Sequence, residues 1–275
     1  MIYVKNKIAL TVSCVISIFL FISSCTTVPI TGRKRIALLP SANLATMALQ
    51  SYQTLLKKSK LSRNPKQIAA IKRVGNKIAK AAEAFMREEG LKKQLKNFRW
   101  EFNLIDDPKT VNAFCMPGGK VAVYTGILPI AKNETGLAVV MGHEVAHAIA
   151  KHGNERMSQV LLVELGGVAL DVALKDKPNE TRTLFKLAYG VGAQLGLLLP
   201  YSRTHESEAD HIGLILMSRA GYDPVAAPEF WKRMSKIGGG KRPPTFLSTH
   251  PSPRKRVKRL QKLIPEVRRK YFKKK

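Results

Sequence analysis

Residues 143–147 read His-Glu-Val-Ala-His, inside a stretch from Glu134 to Lys151 that is helical in pattern. No other feature constrains the fold as strongly. Side chains four apart sit on one helix face a turn from each other, so both imidazoles reach a common point. Neutral imidazole nitrogen suits Zn²⁺, which accepts tetrahedral N/O coordination. Glu144 follows directly and points beside that position. There it is placed to take a proton from water and later hand it to a leaving amine. Such a site also needs a third protein ligand and one open position for solvent.

About sixty residues on, Ser202-Arg203-Thr204-His205-Glu206-Ser207-Glu208-Ala209-Asp210 again reads as helix. Glu206 and Asp210 are four apart, so one can bind metal while the other supports the site one turn away. Ligating histidines usually donate their second N–H to a carboxylate, a task that Asp210 fits. On composition alone, a solvated helix face would explain either acid. Glu208 is read as a non-ligand, and His205 and His211 as surface residues. His152 is read as a structural residue at the end of the active-site helix.

The remaining pattern is mainly α with a small sheet (α+β). Ser41 is a plausible cap for a helix to about Leu61, and Asn64-Pro65 starts another that runs to Gly90. Phe98, Trp100, Phe102 and Leu104 alternate with polar residues as in a half-buried strand. Val111–Met116 continues extended, Pro117-Gly118-Gly119 turns the chain, and Val121, Val123 and Thr125 suggest a third strand. Gly118, Gly119, Lys120, Val121 and Ala122 are the expected sheet edge to which an extended substrate would add. From Asn133 the pattern is helical to the Gly238-Gly239-Gly240 break. Its longest charge-free, mainly apolar stretch, Leu187–Leu199, has 13 residues and is broken by Gln194, short of the roughly 20 that span a bilayer.

The N-terminus sets an expected compartment. Lys5 and Lys7 precede an apolar run that ends in Ile22-Ser23-Ser24-Cys25, the pattern of an export signal. Residues 1–24 are therefore read as a signal peptide and 25–40 as a tether. A single membrane-spanning anchor is the other reading. A catalytic domain follows over 41–253, then a basic tail over 254–275 with twelve Lys or Arg and one acid, Glu266. The formal charge is +28, and removing Lys5 and Lys7 leaves 28 − 2 = +26. On an exported chain that surplus points to anionic headgroups or acidic envelope polymers and away from nucleic acid. Three cysteines, Cys14, Cys25 and Cys115, are too few for a disulfide framework.

His143-Glu144-x-x-His147 followed by Glu206-x-x-Ala209-Asp210 resembles the gluzincin family of HtpX and the CAAX prenyl endopeptidases. Within it, the similarity is to the branch of the periplasmic beta-barrel assembly-enhancing protease, its small lipoprotein relatives and the mitochondrial Oma-type protease. Val28-Pro29-Ile30-Thr31-Gly32-Arg33, Asn112–Gly119, Tyr124-Thr125-Gly126 and Ser248-Thr249-His250-Pro251 carry the same resemblance. It implies a zincin-like single domain with the sheet beside the active-site helix. It also implies one Zn²⁺ held by His143, His147 and Glu206, with Glu144 as general base and Asp210 as orienter or proton donor. By the same resemblance His250 is either a fourth ligand or a donor to the oxyanion, and Arg256 anchors its loop. Cys25 matches the acylated cysteine of bacterial lipoproteins.

The expected function is a zinc metalloendopeptidase on the periplasmic face of a bacterial envelope membrane, acting on misfolded or stalled envelope proteins. It would be held there by Cys25 and the basic tail. The rivals are a chaperone-like assembly factor with latent protease activity and a lipoprotein that binds acidic envelope polymers.

Overall fold

A computed structural model describes residues 25–175, 179–193, 199–237, 246, 250 and 253–273. The expected signal peptide, 1–24, lies outside the described residues.

Two one-turn helices, α3 (Lys92–Leu95) and α4 (Leu128–Ala131), precede helix α5 (Glu134–Ile149), around which the fold is built. Asn133 caps it by accepting from the Gly136 N–H at 3.0 Å, as a short polar side chain does at a helix start. Twelve of its sixteen residues are buried, so it needs cover on nearly every side. Helix α8 (Leu199–Arg219) crosses it on one side, and α2 (Pro65–Glu88) packs on another. In α2, Asn64 accepts from the Gln67 N–H at 3.1 Å with Pro65 in the first turn, as the sequence predicted. Ile71, Val74, Ile78 and Phe85 recur along its buried face. Helix α5 stops where Lys151 takes a left-handed conformation (φ 53°), and α6 (His152–Ala173) begins there.

Strands β3 (Glu101–Ile105), β4 (Ala113–Met116) and β5 (Lys120–Tyr124) form one mixed sheet in the order β3-β5-β4. β3 runs parallel to β5, pairing Phe102 with Val121, and β4 runs antiparallel, pairing Cys115 with Val121. Gly118 and Gly119, at φ 86° and 82°, make the β4–β5 turn in a region that glycine enters without strain. β4 packs on α5. Helix α1 (Ser41–Lys58) reaches the sheet through Tyr52, whose hydroxyl donates to the Val121 carbonyl at 2.7 Å. Ser41 is the first helical residue of α1 rather than a side-chain cap.

This topology corrects the expected substrate edge. Lys120, Val121 and Ala122 lie in the central strand, where β3 and β4 occupy both backbone sides. Gly118 and Gly119 accept from the Arg99 and Glu101 N–H groups. No substrate backbone can pair there. The outer side of β3 meets the 60–62 segment through the Leu61–Ile105 bridge and the Ser62 N–H on Leu104. β4 is the other edge.

Two domain boundaries also move. The basic tail is not separate: α10 (Pro253–Tyr271) packs on α8 and on α9 (Ala226–Ile237) and buries Arg256, Leu260 and Val267. The sequence favoured a tail because basic residues crowd its exposed faces. The tether is also folded in part. β1 (Cys25–Thr27) and β2 (Lys34–Ile36) pair antiparallel, and Val28 and Arg35 are buried. Helix α7 (Asn179–Ala193) packs on α6. No helix among the described residues is long and apolar enough to cross a membrane. Part of Leu187–Leu199, residues 194–198, lies outside the described residues.

Candidate metal centre

Helix α5 presents His143 and His147 on one face, with their Nε2 atoms 3.1 Å apart. Glu206 arrives from α8, its Oε2 3.4 Å from His143 Nε2 and its Oε1 3.3 Å from His147 Nε2. His250 brings Nδ1 to 2.9 Å from Glu206 Oε1 and 3.4 Å from His143 Nε2. One ligand atom from each of these four residues lies within 4.8 Å of the others. The sequence-predicted set is therefore brought together, and His250 with it.

The outward ring nitrogens show what this cluster suits. His143 Nδ1 is 3.1 Å from Asp210 Oδ1, and His147 Nδ1 is 2.8 Å from His152 Nδ1. With Nδ1 as the donor on both ligands, two Nε2 lone pairs and a carboxylate converge on one small volume. Lone pairs at this spacing repel unless a proton or a metal ion lies among them, and the N/N/O donor set fits one zinc ion.

Burial works against charge on Glu206, but its bonds to His143, His147 and His250 prevail and keep the carboxyl ionised far into acid. Burial also opposes charge on His143, yet the Asp210 and Glu206 carboxylates raise it to about 9. Burial drives His147 well below the ordinary imidazole value, so it favours the neutral ligand form. Glu144 is 4% exposed, and burial raises its carboxyl above the usual range. Its Oε1 accepts no hydrogen bond among the described residues and lies 3.5 Å from His250 Nε2.

Arg256 is 1% exposed and does more than hold a loop. Its Nε donates to Asp210 Oδ2 at 2.9 Å, its Nη2 donates to Glu206 Oε2, and its guanidinium lies 3.9 Å over the Trp231 ring. Arg259 adds a second contact to Asp210 Oδ2 at 2.5 Å. Among the described residues, backbone bonds at Phe246 and His250 help seat the His250 segment. The Phe246 N–H donates to the Val111 carbonyl, just before β4, and the His250 N–H donates to the Phe246 carbonyl.

A second buried network adjoins the first, and nothing in the local sequence pattern joins its members. His152 begins α6 rather than ending α5, and burial lowers it to about 4. His205 is not at the surface either: it stacks on His152 at 4.4 Å and bonds Glu155 at 3.0 Å. His211 is half-buried. Glu208, read as a non-ligand, accepts from Thr31 Oγ1 and Arg33 Nε, both at 2.8 Å, and from His152 Nε2 at 3.0 Å. Arg33 also bonds both oxygens of Glu155 at 2.6 and 2.8 Å. Burial opposes both carboxylates' charge, but these donors hold each at about 2. The one sequence signal was the Val28–Arg33 segment, which carried family resemblance without any chemistry.

Comparison with known proteins agrees with this geometry. The model of peptidase family M48 matches residues 65–264, most of the chain. Mitochondrial metalloendopeptidase OMA1 of Schizosaccharomyces pombe is 42% identical over 179 residues, covering 63% of this chain and 49% of that protein. The human metalloendopeptidase OMA1 is 31% identical over 249 residues, 87% of this chain and 46% of its own length. The beta-barrel assembly-enhancing protease of Escherichia coli is 31% identical over 168 residues, 58% of this chain and 33% of its own. This chain thus spans about half or less of these three relatives. A paired-histidine helix, a carboxylate from a crossing helix and a match over most of the length lead to one conclusion: the chain belongs to peptidase family M48.

Proposed function

We propose that the protein is a zinc-dependent metalloendopeptidase. The observation that carries the reading is the convergence of His143, His147 and Glu206 on one point with Glu144 beside it. Bound there, zinc supplies Lewis acidity that polarises a peptide carbonyl and acidifies water. Glu144 takes the proton of the attacking water and returns it to the departing amide nitrogen; its lack of hydrogen-bond donors and its raised proton affinity suit both halves of that task. Asp210 orients His143 through Nδ1, and Arg256 holds both acids of α8 in place. His250 aims Nδ1 at the ligand cluster, which favours a fourth ligand over an oxyanion donor and makes this arrangement a resting form. An extended substrate would add to β4, the edge beside α5.

The cellular reading is an enzyme tethered to the periplasmic face of a bacterial membrane through acylated Cys25, acting on misfolded or stalled envelope proteins. Support comes from the Ile22–Cys25 signal and the similarity to an assembly-enhancing protease, while the OMA1 relatives are mitochondrial by name. Fatty-acid labelling lost in Cys25→Ser tests the anchor. Metal analysis of wild type and Glu206→Ala tests the centre, with about one zinc per chain expected in the first and loss in the second. Glu144→Gln separates hydrolysis from a chaperone-like role. Retained zinc with a roughly 10²–10⁴-fold fall in peptide hydrolysis is expected, and an unchanged rate would refute the mechanism.

A further inference from the structure

The outward nitrogen of His147 meets another histidine rather than a carboxylate. For His147 to offer its Nε2 lone pair inward, its proton must sit on Nδ1. The atom 2.8 Å from that proton's nitrogen is His152 Nδ1, which must then accept. His152 therefore carries its own proton on Nε2 and donates it to Glu208 Oε2 at 3.0 Å. Only an acceptor oxygen serves there, and that oxygen is fixed from the far side. Arg33 Nη2 donates to the same Glu208 Oε2 at 3.0 Å, while Arg33 Nε and Thr31 Oγ1 both donate to Oε1 at 2.8 Å. Arg33 is itself held in plane by its paired bonds to Glu155. A guanidinium forked between two carboxylates has one orientation, unlike an ammonium on a flexible stem.

The Arg33 end of this chain is built by the 28–33 turn. The Val28 N–H donates to the Arg33 carbonyl and the Gly32 N–H to the Val28 carbonyl. Ile30 and Gly32 both take positive φ, 68° and 62°. The turn lies between strands β1 and β2, far from α5 and α8 in sequence. Its two polar side chains nevertheless end on a carboxylate two residues from Glu206.

We propose that Arg33, with Thr31, is a positioning residue for the metal centre. By fixing the Glu208 carboxylate it holds His152 in the tautomer that accepts from His147, and so keeps the His147 Nε2 lone pair directed at the ion. The inference rests on His147 being a zinc ligand. It assigns to the N-terminal turn a part in ligand orientation beside any part in tethering. Outer partners of ligating histidines typically change metal affinity about 10–100-fold when removed.

The test is a double-mutant cycle in the full chain with Arg33→Met and His152→Phe. Zinc affinity is read by competition with a chromophoric chelator, and ligand geometry by the visible spectrum of the cobalt(II)-substituted protein. Each single variant should weaken zinc about 10–100-fold and shift the cobalt bands. The double variant should be no weaker than His152→Phe alone, because the two act through one path. Equal weakening by Arg33→Met in wild-type and His152→Phe backgrounds would show that Arg33 acts elsewhere, and overturns the proposal. Unchanged affinity in Arg33→Met overturns it also. Should Arg33→Met fail to fold, Thr31→Val removes one donor from Glu208 and should weaken zinc several-fold; no change would be equally fatal. Wild type that binds no zinc, or binds it as well with Glu206→Ala, defeats the metallopeptidase reading. Tight zinc in wild type, lost in Glu206→Ala and intact in Arg33→Met, defeats this inference alone.

Discussion

Gly142 on α5 lies directly against Gly213 on α8. A Cβ on Gly142 would stand 3.0 Å from the Gly213 carbonyl oxygen, and one on Gly213 would stand 3.0 Å from the His143 backbone nitrogen. The two helices thus touch backbone to backbone one residue from a metal ligand. That close approach lets Glu206, about two turns from Gly213, reach both imidazoles.

Replacing Gly213 tests this spacing. Gly213→Val adds a branched side chain against backbone that cannot swing aside, so α8 must move off α5. Overpacking of a dense core costs about 1–3 kcal/mol, and zinc affinity should fall along with melting temperature. A Gly213→Val protein with unaltered zinc affinity would mean that the crossing distance does not govern ligation.

Arg256 neutralises two buried acids at once. Arg256→Met would take the guanidinium from both acids, leaving Glu206 its histidine partners and Asp210 the contact with Arg259. Removing one partner of a buried ion pair typically costs about 3–5 kcal/mol. Urea unfolding of the zinc-free protein should show a loss of that order. Arg256→Lys should recover only part of it, since one ammonium cannot serve both acids in the geometry of the fork.

His250 competes with substrate if it fills the fourth position. His250→Ala should then raise kcat/KM on an unfolded peptide substrate several-fold while zinc stays bound. A fall in kcat instead would assign His250 to transition-state stabilisation.

Acid should unfold the protein partly through Glu155. Its carboxyl is held at about 2 in the fold by Arg33 and His205 against the cost of burial, below the roughly 4.3 of a free glutamate. A depressed folded value means that this contribution is present above about pH 4.3 and is lost as pH falls toward 2. The loss is on the order of 1–3 kcal/mol. Stability of Glu155→Gln should depend less on pH across that window; an identical acid limb in both proteins would exclude Glu155 as a source.

Local patterns carried much of the architecture. The four-residue spacing of His143 and His147 makes them neighbours on any helix, wherever that helix packs. Asn64-Pro65 starts α2 because cap and proline act within one turn. Glu206 and Asp210 were legible as a second pair for the same reason. Strand order was not legible. Alternation marks a strand and says nothing of its neighbours, so β5 was taken for an edge although it lies between β3 and β4.

Local chemistry reaches as far as the two imidazoles of α5, because helical periodicity operates over a few residues; between Glu206 and Asp210 it left the third donor open, and family resemblance favoured Glu206. What surrounds them depends on how distant segments pack. Arg33, Glu155, His152, His205 and Glu208 come from segments up to 175 residues apart, and Arg256 from a helix that reads as a basic tail. Each looks like an ordinary polar residue until folding removes water from it. In that dry interior a charge must find its partner, and only the packing of distant elements says which partner that is.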